Sequence, residues 1–265
     1  WLAVLEQLGR NSIERLKEGR DLVGFLGAVT LAFGHAFIRP RRLRLPALFS
    51  HMERAGLNAL PIVGLLSFLI GIVLAYQGAD QLARFGAQIY TVNLVAIGML
   101  REMGVLMTAI IVAGRSGSAF TAQIGTMQVN EEIDALKTIG LDPLELLAVP
   151  RILALVIVVP LLTFYAEMMG LLGGSVMAVI VLDISYSQFI NQVAIAVTAS
   201  TFFVGMVKAP LFGFVIGLVG CYEGLQVSRS AESVGLRTTR SVVESIFIII
   251  VLDAGFSVFF ALLRV

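Results

Sequence analysis

The stretch Ile152–Leu182, ILALVIVVPLLTFYAEMMGLLGGSVMAVIVL, contains one charged residue, Glu167. A helix needs about 20 consecutive apolar residues to cross a hydrocarbon core of about 30 Å, so this stretch is long enough to span a membrane. The whole chain is 58% hydrophobic and 14% charged, whereas soluble domains are about 45–50% apolar and about 25% charged. The sequence therefore predicts a polytopic helical membrane protein.

Four further apolar blocks accompany the quoted stretch. In chain order the five are approximately Asn58–Tyr76, Ile89–Ala113, Ile152–Leu182, Val193–Gly220 and Val242–Leu263. We predict an all-α fold in which an N-terminal interfacial amphipathic helix precedes five transmembrane helices. Residues 1–265 would form a single transmembrane domain, in which residues 56–265 are the five-span bundle.

The N-terminal region, residues 1–55, differs in character from the blocks. Residues 1–20 alternate apolar and charged positions with helical spacing, and residues 21–38 are apolar but end early at a basic run, residues 39–42. An amphipathic helix with a basic flank suits the membrane interface. The alternative interpretation is that residues 21–38 form a first full span.

The Lys and Arg residues that lie between the blocks are distributed unequally. If the N-terminus is cytoplasmic, nearly all of them face the cytoplasm, and the opposite side holds only Arg84 and Arg264. Positively charged loops stay inside. The sequence predicts a cytoplasmic N-terminus and a periplasmic C-terminus.

Charge and residue usage exclude several classes of function. A net charge of +1 argues against a nucleic-acid partner. The single Cys221 cannot form an internal disulfide, and two histidines, His35 and His51, offer little for a histidine metal site. No catalytic or metal site is expected.

The largest polar cytoplasmic segment, Gly114–Pro150, contains a predicted short amphipathic helix. Asn130 is positioned to cap it, acidic residues follow in its first turn, and Gly140 ends it. Such a helix between two spans is typical of a segment that docks a permease onto an ATPase. An ordinary solvated loop helix is the alternative.

Four charged residues fall near the middle of predicted spans: Arg101, Glu102, Lys208 and Asp253. A charge at this depth costs about 2.5–3.5 kcal/mol on insertion scales, so such residues usually face the bundle interior and pair. Because neighbours in a helix are about 100° apart, Arg101 and Glu102 should seek separate partners. We predict Glu102 with Lys208 and Arg101 with Asp253, either locking the bundle or lining a ligand path.

Three motifs together resemble the MlaE (YrbE) permease family. They are Gly114-Arg115-Ser116-Gly117-Ser118-Ala119 with its continuation through Pro143, the segment Ser233–Val243, and Leu100-Arg101-Glu102-Met103-Gly104. The resemblance covers most of the chain after about residue 55. It also agrees with a five-span topology.

The resemblance implies a homodimeric transmembrane subunit of a phospholipid ABC transporter in the inner membrane of Gram-negative bacteria. In that family lipid moves between the inner and outer membranes, which maintains outer-membrane lipid asymmetry. The implied partners are a cytoplasmic ATPase, a STAS-domain protein attached to that ATPase, and a periplasmic hexamer of MCE-domain subunits. The chain has no G-x-x-x-x-G-K-[ST] motif, so ATP is expected on the partner chain, with no cofactor on this one.

The resemblance also implies two sets of site residues. The coupling helix that docks the ATPase would correspond to Glu131–Gly140, with Glu131, Glu132, Asp134, Leu136, Lys137 and Gly140. Phospholipid would bind near the dimer axis at Leu74, Leu82 and Phe85, with Leu100 and Met103 nearby. Simple packing is the alternative role for each of these five apolar residues.

Two competing functions belong to other classes. One is an intramembrane serine protease, because residues 114–117 contain G-x-S-G. A serine nucleophile needs a base within hydrogen-bond reach, but neither histidine lies in a strong span and the motif lies at the cytoplasmic rim. A secondary transporter or channel working without an ATPase is the main alternative. Many such folds contain an inverted repeat, and no repeat is visible in this sequence.

Overall fold

A computed structural model of the protein describes residues 19–34, 44–228 and 230–263, and these residues are helical apart from short connections, with no strand among them. Helices suit an apolar chain because every backbone hydrogen bond is made within the segment, where lipid offers no partner. The predicted all-α class is confirmed.

Eight helices form the described part of the chain. Five of them are long and apolar enough to cross a membrane, as predicted. The helices are α1 (residues 19–34), α2 (Leu45–Ala83), α3 (Tyr90–Val129), α4 (Glu132–Thr138), α5 (Leu144–Leu182), α6 (Tyr186–Ala196), α7 (Ala199–Leu225) and α8 (Ala231–Leu262), of which α2, α3, α5, α7 and α8 are the candidate spans.

Several long helices run past the apolar blocks at their predicted cytoplasmic ends. Helix α2 begins at Leu45, so residues 45–55 are continuous with the first long helix, from whose apolar part a 3-10 turn at Leu57–Ala59 divides them. Their interfacial position stays a prediction. Helix α3 likewise continues to Val129, through residues expected in a loop. Hydropathy changes where the hydrocarbon ends, but helical hydrogen bonding continues wherever side chains still pack, which explains why both helices extend beyond their apolar blocks.

The predicted start of the fourth block, Val193, is too early in the chain. Val193 lies in α6, a separate helix whose N-cap Ser185 makes a capping box with Gln188, and the fourth span begins at Ala199. An apolar short helix next to a span is continuous with it in hydropathy, so only the chain reversal separates them.

Helix α1 packs on the predicted cytoplasmic half of the bundle. Val29 is fully buried, and the rings of Phe25 and Phe33 lie 5.4 and 6.2 Å from those of Tyr222 and Phe214 in α7. The predictions for residues 1–18 and 35–43 lie outside the described residues. An interfacial position for α1 stays a prediction.

Helices α5 and α7 form the centre of the bundle. In an apolar stretch of 18 residues taken from each span, 67% of the residues of α5 and 61% of those of α7 are buried, against 11% of those of α8. Glycines let the central helices approach: a Cβ at Gly173 would meet the Phe68 carbonyl of α2, and one at Gly213 the Leu155 carbonyl of α5. In lipid no hydrophobic effect drives helices together, so close packing through small residues stabilises their contact instead.

Candidate functional site

Lys208 is the centre of a charged cluster in the middle of the bundle. Its side chain is fully buried, and its Nζ lies 2.7 Å from Glu102 Oε2 in α3 and 2.9 Å from Asp253 Oδ1 in α8. Nζ also donates to the backbone carbonyl of Arg101 at 3.4 Å. One ammonium group thus joins α3, α7 and α8, and all three of its donors have acceptors.

The predicted pairing of Glu102 with Lys208 is confirmed, and that of Arg101 with Asp253 is wrong. Asp253 binds Lys208, while Arg101 Nε lies 3.8 Å from Oε1 of its own neighbour, Glu102. The same Oε1 accepts a hydrogen bond from Ser257 at 3.0 Å. Two carboxylates therefore share one buried lysine, and the arginine stands at the edge of the cluster.

A π-helical turn in α3, Met99–Met103, carries Arg101 and Glu102. The expectation that adjacent Arg101 and Glu102 point apart assumed ordinary α-helical spacing. A π turn widens the helix by one residue, which changes the angle between successive side chains. Such turns are rare in proteins, but those that occur often lie at functional sites. Nothing in the sequence predicted this one.

The carboxylates differ from Lys208 in exposure. Their side chains are 27% exposed for Glu102 and 13% for Asp253, against 0% for Lys208. The positive charge is therefore enclosed, while the negative charges reach the edge of the bundle. The arrangement joins three spans and leaves part of each acidic side chain exposed at the surface of the bundle.

A second buried charge, Glu223, was missed by sequence reasoning. Its side chain is fully buried near the end of α7, and Arg237 Nη1 binds its Oε2 at 2.9 Å. Arg240 Nε lies 3.5 Å from Glu223 Oε1 and 2.7 Å from Glu244 Oε1. The signal was present: Glu223 ends an apolar block, and the two arginines follow one turn apart in the next helix.

The predicted coupling helix exists as α4, Glu132–Thr138. Asn130 does not cap it: Glu131 holds that position in a left-handed conformation, φ 60°, and Asn130 Nδ2 donates to Glu132 Oε1 at 3.2 Å. Gly140 ends the helix as predicted. Its φ is +78°, and the amides of Gly140 and Leu141 donate to the carbonyls of Lys137 and Leu136, which is a Schellman motif.

Helix α4 has one anchored face and one exposed face. Ile133 is buried against α3 and α5, and Leu136 packs beside it. Glu131, Glu132 and Lys137 are exposed, as is Gly140, and Asp134 is half-buried, with its carboxylate 3.3 Å from Lys137 Nζ. The apolar residues that follow, Ile139 and Leu141, are 70% and 44% exposed, and the sequence reading had not singled them out.

The five residues predicted to bind lipid are not gathered at one place in the single chain. Leu74 and Met103 pack against the same cluster of α2 and α3 residues. Leu100 is 4% exposed and belongs to the core, whereas Leu82 is half-buried and Phe85 is 81% exposed near the end of α2. Lipid binding at these positions stays a prediction.

Comparison with known proteins finds similarity along most of the chain. Residues 48–259 match the family model "Permease MlaE". The intermembrane phospholipid transport system permease protein MlaE of Haemophilus influenzae is 32% identical over 241 residues, covering 89% of this chain and 92% of that protein. A probable ABC transporter permease protein of Rickettsia felis is 31% identical over 250 residues, covering 94% and 95%.

A chloroplast protein is also similar. The protein TRIGALACTOSYLDIACYLGLYCEROL 1 of Arabidopsis thaliana is 32% identical over 209 residues, covering 79% of this chain and 60% of that protein. The region similar to this chain is therefore only part of the longer plant protein.

Proposed function

The chain belongs to the MlaE permease family, and from that premise we propose that it is the transmembrane subunit of an ATP-driven phospholipid transporter. The observation that carries the proposal is its 32% identity, over 89% of its length, to a permease of an intermembrane phospholipid transport system. The chain would lie in the inner membrane of a Gram-negative bacterium and move lipid between the two membranes, which maintains outer-membrane lipid asymmetry.

Helix α4 is the proposed docking point for a cytoplasmic ATPase. Its inner face is anchored by Ile133, so a push on the helix is transmitted to α3 and α5 instead of bending a free loop. Beside it lies a cleft of about 700 Å³ lined in part by Leu136, Leu141 and Glu145. Exposed apolar residues with acidic neighbours suit a protein partner, because the apolar residues supply affinity and the charges supply orientation.

A second copy of the chain is proposed to complete the lipid path. Helix α8 is the least buried span, since only 11% of the residues in its apolar stretch are buried. The side chain of Phe85 is also largely exposed. In a homodimer these surfaces would meet near the axis, and Leu74, Leu82, Phe85, Leu100 and Met103 would lie around the lipid. A periplasmic hexamer of MCE-domain subunits would receive or deliver it, and a STAS-domain protein would bind the ATPase.

In the proposed transport cycle, motion of α4 is transmitted to the spans that pack against it. Closure of two ATPases on ATP moves Glu131–Gly140, and α3 and α5 move with it because α4 packs against them. The cluster at Lys208 keeps α3, α7 and α8 in register during that motion. The spans around the dimer axis then close on the lipid and pass it along the path.

The first test is purification of the chain from its native membrane in mild detergent. Recovery with an ATPase, an MCE-domain protein and phospholipid, identified by mass spectrometry, is the expected result. Recovery alone and free of lipid, under conditions in which a known complex of this type survives, would contradict the proposal. A carrier or channel that works without an ATPase would then be the better explanation.

Docking is tested separately with Glu132→Lys plus Asp134→Lys and with Ile139→Ser plus Leu141→Ser. Each pair should weaken ATPase co-purification by about tenfold or more, because interface anchors are often worth 2 kcal/mol or above. The matched control is Glu53→Lys plus Glu232→Lys, the same charge change on exposed acids outside α4. Unchanged ATPase binding in both α4 variants would make the docking assignment wrong.

A further inference from the structure

A small cavity with a basic lining lies between the first and second spans. Its volume is about 200 Å³, and its polar lining consists of Arg54 and Asn58 of α2 with Arg115, Ser116 and Gln123 of α3. Arg115 Nη1 donates to the backbone carbonyl of Arg54 at 3.4 Å. This bond links α2 and α3 at the cavity.

A third arginine lies behind the cavity wall. Arg151 of α5 is 6% exposed, and its guanidinium lies 5.8 Å from the centre of the Phe120 ring, which also lines the cavity. Its Nη1 binds the Leu147 carbonyl at 2.8 Å, and its Nη2 lies 3.5 Å from Gln123 Oε1. Three positive charges therefore converge on one small volume.

No carboxylate balances these charges within the described chain. Arg54, Arg115 and Arg151 form no ion pair with any described residue, and none of the described residues that line the cavity is acidic. The nearby Glu53 lines a different, apolar groove on the other side of α2. Lys208 and Glu223 elsewhere in the protein have counter-charges, whereas the three arginines, like the buried Glu167 of α5, have none among the described residues.

Two polar groups at the cavity also lack partners. Ser116 is 4% exposed, and its hydroxyl has no hydrogen-bond partner among the described residues; the same holds for Arg151 Nε. Buried polar groups are nearly always bonded. An unbonded hydroxyl and three guanidiniums without a counter-charge are together the donor set that a phosphate group accepts from.

The position along the chain indicates the depth of the cavity. Each arginine stands at the edge of an apolar run: Arg54 precedes that of α2, Arg115 follows that of α3, and Arg151 precedes that of α5. With the predicted orientation, all three lie at the level of the cytoplasmic headgroups. Basic pockets between spans on that side are typical sites for anionic headgroups.

The surface beside the cavity is suited to an acyl chain. The face of α2 that carries Asn58 continues at helical spacing through Ile62, Leu65 and Leu69, which are 45%, 59% and 45% exposed. A ligand with a phosphate at the arginines would extend its tail along this face into the hydrocarbon. A free phosphate ion would make no use of it.

We propose that this cavity binds the phosphate of a phospholipid drawn from the cytoplasmic leaflet. The claim that the bound lipid is transported rests on the proposed function. Lipid binding in the cavity is measured without transport, so the binding site and the proposed function can be contradicted separately. The guanidiniums of Arg54 and Arg115 and the Ser116 hydroxyl would hold the phosphate, with Arg151 supplying charge from behind Phe120.

The test places a benzophenone amino acid at Ala119, an exposed position in the cavity lining, in the full chain with its partners. Membranes from cells grown with ³²P-phosphate are illuminated, and the ³²P on the chain is measured. We expect the labelled adduct to have the mass of a glycerophospholipid, whichever C–H bond of the lipid the benzophenone has joined. An adduct with the mass of another phosphorylated ligand, such as a nucleotide, would overturn the lipid assignment.

Variants then connect the label to the cavity. Arg54→Gln plus Arg115→Gln should lower it about tenfold or more, since hydrogen bonds to charged groups are the stronger class, and Arg54→Lys plus Arg115→Lys should retain most of it. Asn58→Phe fills the cavity without changing a charge and should lower the label equally, which keeps the test decisive if the double glutamine variant misfolds. Arg84→Gln, at the other end of α2, is the control.

The proposal is overturned if labelling at Ala119 is insensitive to both Arg54→Gln plus Arg115→Gln and Asn58→Phe, which would mean that the lipid there is ordinary surrounding bilayer. It is also overturned if Arg84→Gln lowers the label as much. Failure of the proposed function appears elsewhere, as a chain that purifies without an ATPase.

Discussion

Lys208 concentrates three interactions in one buried side chain. Its ammonium group binds Glu102, Asp253 and a backbone carbonyl, and water has no access to it. Removing one partner of a buried ion pair costs far more than the pair itself contributes, because the other charges remain buried. The residue is therefore a point where a single substitution affects three helices at once.

Lys208→Met should lower the free energy of unfolding by about 3–5 kcal/mol, because two carboxylates lose their shared counter-charge. The measurement is unfolding of the purified protein in mixed detergent. Adding Glu102→Gln and Asp253→Asn should restore most of the loss, since no unpaired charge is then left. The control Lys137→Met removes an exposed pair with Asp134 and should cost at most about 1 kcal/mol.

The corrected pairing makes a separate prediction for a double-mutant cycle. Lys208→Met and Asp253→Asn should be coupled by about 1–3 kcal/mol, because the two groups are in contact. Arg101→Gln and Asp253→Asn should be coupled more weakly than that pair, because Arg101 reaches Asp253 only through Glu102 and Lys208. Strong coupling in the second cycle, with none in the first, would restore the pairing expected from the sequence.

At the scale of elements, the contact between α2 and α5 depends on glycines. The Phe68 carbonyl of α2 lies where a Cβ of Gly173 would be, and the Gly170 carbonyl of α5 lies where a Cβ of Gly71 would be. Backbone atoms cannot rotate out of the way as side chains do. The two helices must therefore separate if either glycine is enlarged.

Gly173→Val should destabilise the protein by about 3 kcal/mol, the upper range for overpacking a close contact, as measured by unfolding in detergent. Gly235→Ala in α8 is the matched control. A Cβ there meets no atom within 4 Å, and alanine is the better helix former. If Gly173→Val were as stable as Gly235→Ala, α2 and α5 would not pack as described.

At the scale of the whole molecule, the distribution of positive charge predicts one orientation in the membrane. The connection between α2 and α3 should be periplasmic and that between α7 and α8 cytoplasmic. Gln88 and Gln226 are exposed residues in or beside these connections. The native Cys221 is fully buried, so it gives no background in a thiol-labelling experiment.

Gln88→Cys should react with a membrane-impermeant maleimide in intact cells with a permeabilised outer membrane, because its connection faces the periplasm. Gln226→Cys should react only after the inner membrane is opened. The degree of labelling is read from the mass of the purified chain. The reverse pattern would invert the topology and move the arginine-lined cavity and α4 to the periplasmic side.

The sequence by itself was enough to predict much of this architecture. Apolar blocks specify spans because the free energy of placing a helix in lipid depends on its composition, and all five were found. The end of the third span at Leu182 and the stop of α4 at Gly140 were also correct. Both are local: Gly140 needs a left-handed backbone that only glycine adopts without strain.

Other features were decided by the tertiary structure alone. Which carboxylate meets Lys208 depends on the rotation of α3, α7 and α8 about their axes, and the π turn at Met99–Met103 alters that rotation within one helix. The convergence of Arg54, Arg115 and Arg151 likewise requires that α2, α3 and α5 be neighbours at one depth. Hydropathy reports the solvent of each segment, whereas neighbours and rotation follow from close packing of many side chains at once, which no single segment contains.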